Sequence, residues 1–154
     1  MSQQDRGPLA GIRVLEFGSA ITASWAAGIL ADQGADVIKV EPPGLGDIMR
    51  YIGANRNGVS AIFQMANRGK QSVALDVRDR EINAVVRKLI AAVDVIIHNC
   101  RPGVMERLGL GYKDCAAINP EVVFLGISGF GDRGPYAGKR AYDNVIQEIG
   151  RAHV

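Results

Sequence analysis

The chain has 154 residues, 47% of them hydrophobic and 22% charged, with 18 basic against 16 acidic side chains for a formal net charge of +2. That length fits one domain able to bury roughly 70% of its unfolded surface, and the composition excludes a disordered chain. Charges of both signs are interleaved without a basic stripe, and no apolar run reaches the roughly 20 residues of a membrane span, so neither nucleic acid nor a membrane is expected as a partner. Cys100 and Cys115 are too few for a disulfide framework and lack metal-site spacing, so no zinc site is expected. A reducing cytoplasm suits them, and the polar segment Met1–Pro8 lacks the apolar core of a secretion signal.

Residues 1–9 read as a polar arm. The run Ile12–Phe17 is β-branched and apolar up to Gly18, which predicts a first strand. Thr22–Gln33 places Trp25, Ile29 and small alanines at helical spacing before the stop at Gly34, and Val37–Glu41 is a second strand ended by Pro42-Pro43-Gly44. Pro42–Lys70 is rich in Gly, Asn and Pro and largely irregular, with one or two helical turns expected over Ser60–Asn67; so long a connection is usually functional.

Ser72–Val77 predicts a third strand. Asp79 is placed to cap a helix whose stripe is Ile82, Val85, Val86, Leu89 and Ile90. Asp94–Ile97 is a fourth strand, Pro102 opens a helical turn bearing Val104, Met105 and Leu108, Tyr112–Ile118 is a short helix, and Val122–Ser128 is a fifth strand. Tyr142–Ile149 begins a further helix with no strand after it. Strands alternating with helices predict an α/β fold, a Rossmann-like, doubly wound and mainly parallel sheet, over residues 10–149. Residues 150–154 read as a tail outside that domain.

Such a sheet binds ligands beyond the carboxyl ends of its strands. The segments there are Gly18-Ser19-Ala20-Ile21, Pro42-Pro43-Gly44, Val77-Arg78, Asn99-Cys100-Arg101 and Ser128-Gly129-Phe130-Gly131. Small residues after the first strand admit a phosphate close to backbone amides, or serve only as a tight turn. Neither G-x-G-x-x-G nor G-x-x-x-x-G-K-[ST] is present, so no standard dinucleotide or nucleoside triphosphate site is signalled. Arg78, Arg107 and Arg140 are each ordinary surface cations taken singly, yet three of them near strand ends suit a phosphorylated ligand. His98 stands alone beside a strand end. Cys100 follows a strand, but without a histidine to activate it a packing role outweighs that of nucleophile. Asp143, in the first turn of the last helix, reads equally as a cap or as a supporting carboxylate of a site.

Taken together, residues 8–17 (PLAGIRVLEF), 30–47 (LADQGADVIKVEPPGLGD), 67–76 (NRGKQSVALD), 99–109 (NCRPGVMERLG) and 128–136 (SGFGDRGPY) resemble the class III coenzyme A transferases. These are the formyl-CoA transferase and carnitine dehydratase-like, or CaiB/BaiF, proteins. The match runs in order from about Leu9 to Gln147.

The resemblance implies transfer of coenzyme A between carboxylic acids, with acyl-CoA and a free acid as substrates, no covalently bound cofactor and no metal. It also implies an interlocked homodimer, or self-association of this chain. In the family an aspartate attacks the thioester to give a mixed anhydride and then an aspartyl-CoA thioester; that aspartate would lie beyond Val154, so the chain contains no catalytic residue and is expected to be inactive alone. The family's coenzyme A contacts map onto Ala20, Ile21, Pro42, Leu75, Arg78, Asn99, Cys100, Arg107 and Arg140. Where formyl-CoA transferases carry a glutamine and an arginine, this sequence has Ile21 and Pro42, which argues against formate or oxalate specificity. The racemases of the family carry a histidine where this sequence has Tyr142, which favours transfer over isomerisation. Two alternatives stand beside the transferase: a non-catalytic coenzyme A-binding subunit and a racemase-like isomerase.

Overall fold

A computed structural model describes residues 7–142 of the chain. Of the helix expected over residues 142–149, everything from Asp143 on lies outside the described residues, as does the tail 150–154. In chain order the elements are β1 (Arg13–Phe17), α1 (Thr22–Asp32), β2 (Asp36–Glu41), a 3₁₀ turn (Ile48–Arg50), β3 (Asn55–Arg56), β4 (Val59–Ser60), α2 (Ala61–Asn67), β5 (Gln71–Ala74), α3 (Arg80–Ile90), β6 (Val95–His98), α4 (Val104–Arg107), α5 (Tyr112–Ile118) and β7 (Val123–Gly126).

Five strands form one sheet in the order β5-β2-β1-β6-β7, and every pair is parallel. The chain builds outward from β1 to one edge, returns through α3, and builds outward to the other. The reversal falls between β1 and β6, which is where a doubly wound sheet opens a crevice.

The pleat sorts side chains between two cores. Val14, Val37 and Ile97 face one way, under Ala23 and Ala27 of α1. Leu15, Val40 and Ile96 face the other, under Val86 and Ile90 of α3, with Met105, Leu110 and Cys115 closing that layer. Val86 and Ile90 are fully buried, each contributing about 1.5–3 kcal/mol by area removed from water.

Local signals set the element ends. The Asp79 side chain accepts from the amides of Glu81 and Ile82 at 2.8 and 3.4 Å and so caps α3 as the sequence predicts, with Arg87 and Lys88 in its last turn. Gly34 takes a φ of 98° after α1, a left-handed stop that glycine adopts without strain. The helical turns expected over Ser60–Asn67 are a seven-residue helix, capped by Ser60 Oγ accepting from the Phe63 amide at 3.3 Å. Three expectations shift. The third strand ends at Ala74 rather than Val77, because the chain turns through Asp76 to reach the α3 cap. Pro102 precedes the α4 N-cap, Gly103, instead of occupying the first helical turn. The irregular Pro42–Lys70 stretch contains a hairpin, β3 against β4, turning on Asn57 and Gly58, both at positive φ.

Candidate active site

Two concavities lie beyond the carboxyl ends of the strands. The larger, about 690 Å³, is walled by Ala20, Ile21 and Thr22 after β1, Met49, Ile52 and Ile62 from the long connection, Asn99–Pro102 after β6, and Ile127–Phe130 after β7. Lys139 and Tyr142 close its far side. Phe130 is braced by Tyr136, ring centroids 5.8 Å apart, and Lys139 Nζ sits 4.0 Å from the Tyr136 ring centroid. The lining is chiefly apolar, which suits a ligand's uncharged portion.

The smaller groove, about 470 Å³, is formed by Val77, Arg78, Arg80 and Asn83 on one side and Arg107, Leu108 and Gly109 on the other. Asn83 Nδ2 donates to Val77 O at 3.3 Å and Leu108 O at 2.9 Å, tying the two walls together. Three guanidinium groups thus share one concave surface, an arrangement suited to phosphate. Arg78 is already engaged: its Nε and Nη2 donate to Asp76 at 2.8 and 2.7 Å, and these hydrogen bonds hold the Asp76 carboxyl down at about 2. The segment 99–109 joins the two concavities, its first residues lining the cleft and its last the groove.

The loop after β1 is fixed from several sides. Asn99 Oδ1 accepts from the Ser19 amide at 3.0 Å, and Asn99 Nδ2 donates to Ser19 O at 2.7 Å and to Thr22 Oγ1 at 3.0 Å. Lys39 Nζ donates to Gly18 O at 2.9 Å, and the Ala20 amide donates to Asp47 Oδ1 at 3.0 Å. Ala20 is held at a φ of 62°, a left-handed conformation that costs a residue with a Cβ on the order of 1 kcal/mol. A non-glycine residue stays there only when its surroundings over-determine it, as these contacts do.

Beneath that loop lies a buried ionic cluster. Lys39 Nζ stands 2.7 Å from Glu16 Oε1 and 2.9 Å from Asp47 Oδ2, and Lys70 Nζ stands 2.7 Å from Glu16 Oε2. Ser24 Oγ accepts from Lys39 and donates to Glu16. Two carboxylates and two ammonium groups balance, which buried charge requires. Desolvation pushes the Lys70 pKa below its ordinary value, against the opposing pull of Glu16. Alternation and periodicity alone do not identify this cluster; the signal available is a lysine inside the apolar run of β2, where a parallel strand is ordinarily apolar throughout.

Of the residues mapped from sequence, Ala20, Ile21, Asn99 and Cys100 meet in the cleft and Arg78 and Arg107 in the groove. Arg80 joins the groove without having been singled out. Leu75 packs half-buried against the α3-side core. Pro42 is exposed and lines neither concavity, and Arg140 is exposed between two cleft residues, Lys139 and Ala141. Burial pushes the Cys100 thiol up, with the Glu106 charge adding to it, so the thiol is not an activated nucleophile. His98 packs its ring on Phe124, centroids 5.1 Å apart, and burial lowers its pKa. Among the described residues no cluster of metal-ligating side chains and no helix long and apolar enough to cross a membrane occurs.

The geometry has counterparts among known proteins. A succinyl-CoA:D-citramalate CoA-transferase of Chloroflexus aurantiacus is 40% identical over 150 residues, covering 97% of this chain and 37% of that protein. A formyl-CoA:oxalate CoA-transferase of Escherichia coli is 37% identical over 94% of this chain and 35% of its own length. The chain therefore spans little more than a third of these relatives. A crystal structure of a CaiB/BaiF family protein from Brucella suis superposes with a TM-score of 0.88 at 40% identity, covering 95% of this chain and 40% of that one. The family model described as CoA-transferase family III matches residues 9–152, and the chain belongs to that family.

Proposed function

We propose that this chain is the coenzyme A-binding part of an enzyme that moves coenzyme A from an acyl-CoA to a free carboxylic acid. The observation that carries the reading is the pairing of an apolar cleft at the sheet's switch point with a groove holding Arg78, Arg80 and Arg107, the two joined by residues 99–109. Coenzyme A has the matching form: a phosphorylated adenosine at one end and an uncharged pantetheine arm at the other. The arginine groove takes the phosphates, and the cleft takes the arm and the thioester. Ala20, Ile21, Asn99 and Cys100 line the arm's path. Leu75, Pro42 and Arg140 belong to the site by family resemblance.

In the whole enzyme an aspartate beyond Val154 attacks the thioester carbonyl and displaces the coenzyme A thiolate, leaving a mixed anhydride. The thiolate then attacks the aspartyl carbonyl of that anhydride, releasing the donor acid and leaving an aspartyl-CoA thioester for the acceptor acid to resolve. No metal or bound cofactor enters these steps. Tyr142, at the edge of the cleft, stands where the family's racemases carry a histidine acid-base, which supports transfer over isomerisation. The enzyme acts in the cytoplasm as an interlocked dimer.

Calorimetry of the 154-residue chain with coenzyme A tests the reading, together with chromatography of CoA esters after incubation with succinyl-CoA and free acids. Weak binding and no turnover are expected. Absence of binding at millimolar coenzyme A refutes the assignment, and turnover by this chain alone refutes the placement of the catalytic aspartate beyond it.

A further inference from the structure

We infer that Asp47, locked by Lys39, is a positioning residue that sets the spacing of two walls of the coenzyme A cleft. The inference rests on the reading of the cleft given above. Asp47 Oδ1 accepts from the Ala20 amide at 3.0 Å and from the Met49 amide at 3.0 Å. Ala20 and Met49 both line the cleft, one from the loop after β1 and the other from the connection after β2. A single carboxylate oxygen therefore joins its own segment, at Met49, to the loop at Ala20, which lies 27 residues before Asp47 in sequence.

A helix cap would need only the second of these bonds. Capping side chains usually sit at the surface, whereas Asp47 is 2% exposed. Its other oxygen, Oδ2, is buried and accepts no hydrogen bond, yet lies 2.9 Å from the Lys39 ammonium. The reason is arithmetic. Lys39 has three protons, and they go to Glu16, Gly18 O and Ser24 Oγ. Asp47 Oδ2 is held by charge alone, which fixes the carboxylate while leaving Oδ1 free to orient both amides. The Asp47 amide in turn donates to Glu41 Oε2 at 2.8 Å, so the backbone on which the joint sits is itself anchored. Releasing Oδ1 removes the partner of an Ala20 amide held at positive φ, and that loop then relaxes away from the Met49 wall.

The test uses the full chain, the D47A and D47N variants, and two ligands: coenzyme A, which needs cleft and groove, and adenosine 3′,5′-bisphosphate, which needs the groove only. D47A is expected to weaken coenzyme A about tenfold while the bisphosphate affinity stays within about twofold, the loss of a charge-assisted hydrogen bond being of that size. D47N keeps an accepting oxygen but gives up the charge by which Lys39 fixes the side chain, so its coenzyme A affinity should fall between those of the wild type and D47A, with the bisphosphate again within about twofold. Without ligand, the Ala20 and Met49 amide resonances should shift together in D47N, both having lost the same charged acceptor; this readout stands even where D47A does not fold. Unchanged coenzyme A binding in D47A, an equal loss of both ligands, or a shift of only one amide overturns the proposal. A wild-type chain that binds neither ligand overturns the reading of the cleft instead, and the amide pair still decides whether Asp47 is the joint.

Discussion

The guanidinium of Arg50 closes on the carboxylate of Glu41 in two hydrogen bonds, Nε to Oε2 at 2.8 Å and Nη2 to Oε1 at 2.6 Å, at the point where β2 meets the long connection. Ser72 Oγ adds a third at 2.6 Å, and Arg50 also lies over the Phe63 ring, 3.9 Å from its centroid. Burial pushes the Glu41 carboxyl up, but the hydrogen bonds from Arg50, Ser72 and the Asp47 amide, with the Arg50 charge, outweigh it and hold the pKa at about 2, below the ordinary 4.5. A carboxyl depressed by folding stabilises above its unfolded pKa, and that contribution is lost as pH falls through the folded value. Stability should therefore decline between pH 4.5 and about 2. Because Arg50 is 38% exposed, solvent screening trims the contribution to about 2 kcal/mol. Urea unfolding across that range should show a slope that flattens in E41Q; an unchanged acid limb in E41Q would show that other carboxylates carry it.

Gly28 lies where α1 crosses α2, and a Cβ there would come 2.9 Å from the Ala66 carbonyl oxygen. Glycine to alanine in a helix ordinarily gains about 1 kcal/mol. Here the obstacle is backbone, which cannot swing aside, and overpacking of this kind costs about 1–3 kcal/mol. G28A should unfold at a lower temperature than the wild type. A stabilised G28A would mean that the two helices have room to separate.

Much of this fold is legible in the sequence, because β1 and β2 are largely apolar runs that stop at Gly18 and Pro42, β6 is the apolar run Val95–Ile97, and the α3 cap, Asp79, announces itself. The hairpin of β3 and β4 carried its own signal, Asn57-Gly58, but its two-residue strands are too short for alternation to register. The paired concavities were half legible: strand-end position singles out Ala20, Ile21, Asn99 and Arg78, while Arg80 reads as any cation in a helix's first turn. The ionic cluster was not. Glu16 and Lys70 are 54 residues apart, and only the sheet order brings them together. Sequence spacing carries no information about a contact made across three elements.

The two cysteines should differ in reactivity yet both be slow. Cys100 is half-buried at the cleft wall with its thiol raised by burial, and Cys115 is fully buried with its pKa pushed up to about 11. Since the thiolate is the reactive form, a disulfide reagent at pH 8 should modify Cys100 more slowly than a free small thiol, and Cys115 only after unfolding. Coenzyme A in the cleft should slow Cys100 further. Reaction of Cys100 at the rate of a free thiol would place it outside the cleft wall.

The arginine groove should discriminate coenzyme A by its 3′-phosphate, and the three arginines should not contribute equally. Arg78 already donates two hydrogen bonds to Asp76, so a phosphate there must compete with a carboxylate. Among the described residues Arg107 makes no ion pair, which leaves its donors available without such competition. R107A is therefore expected to weaken coenzyme A about tenfold, the scale of one lost charge-assisted hydrogen bond, and to leave 3′-dephospho-CoA nearly unaffected. R78A should have the smaller effect. D76N, by releasing Arg78, should tighten coenzyme A and steepen the salt dependence of its binding, because a freed cation meets the phosphate directly. Calorimetry of the three variants against both ligands at two salt concentrations decides the matter: equal affinity of the wild type for coenzyme A and its dephospho form would remove the 3′-phosphate from the groove, and a D76N that binds no tighter would show that Asp76 orients Arg78 instead of competing for it.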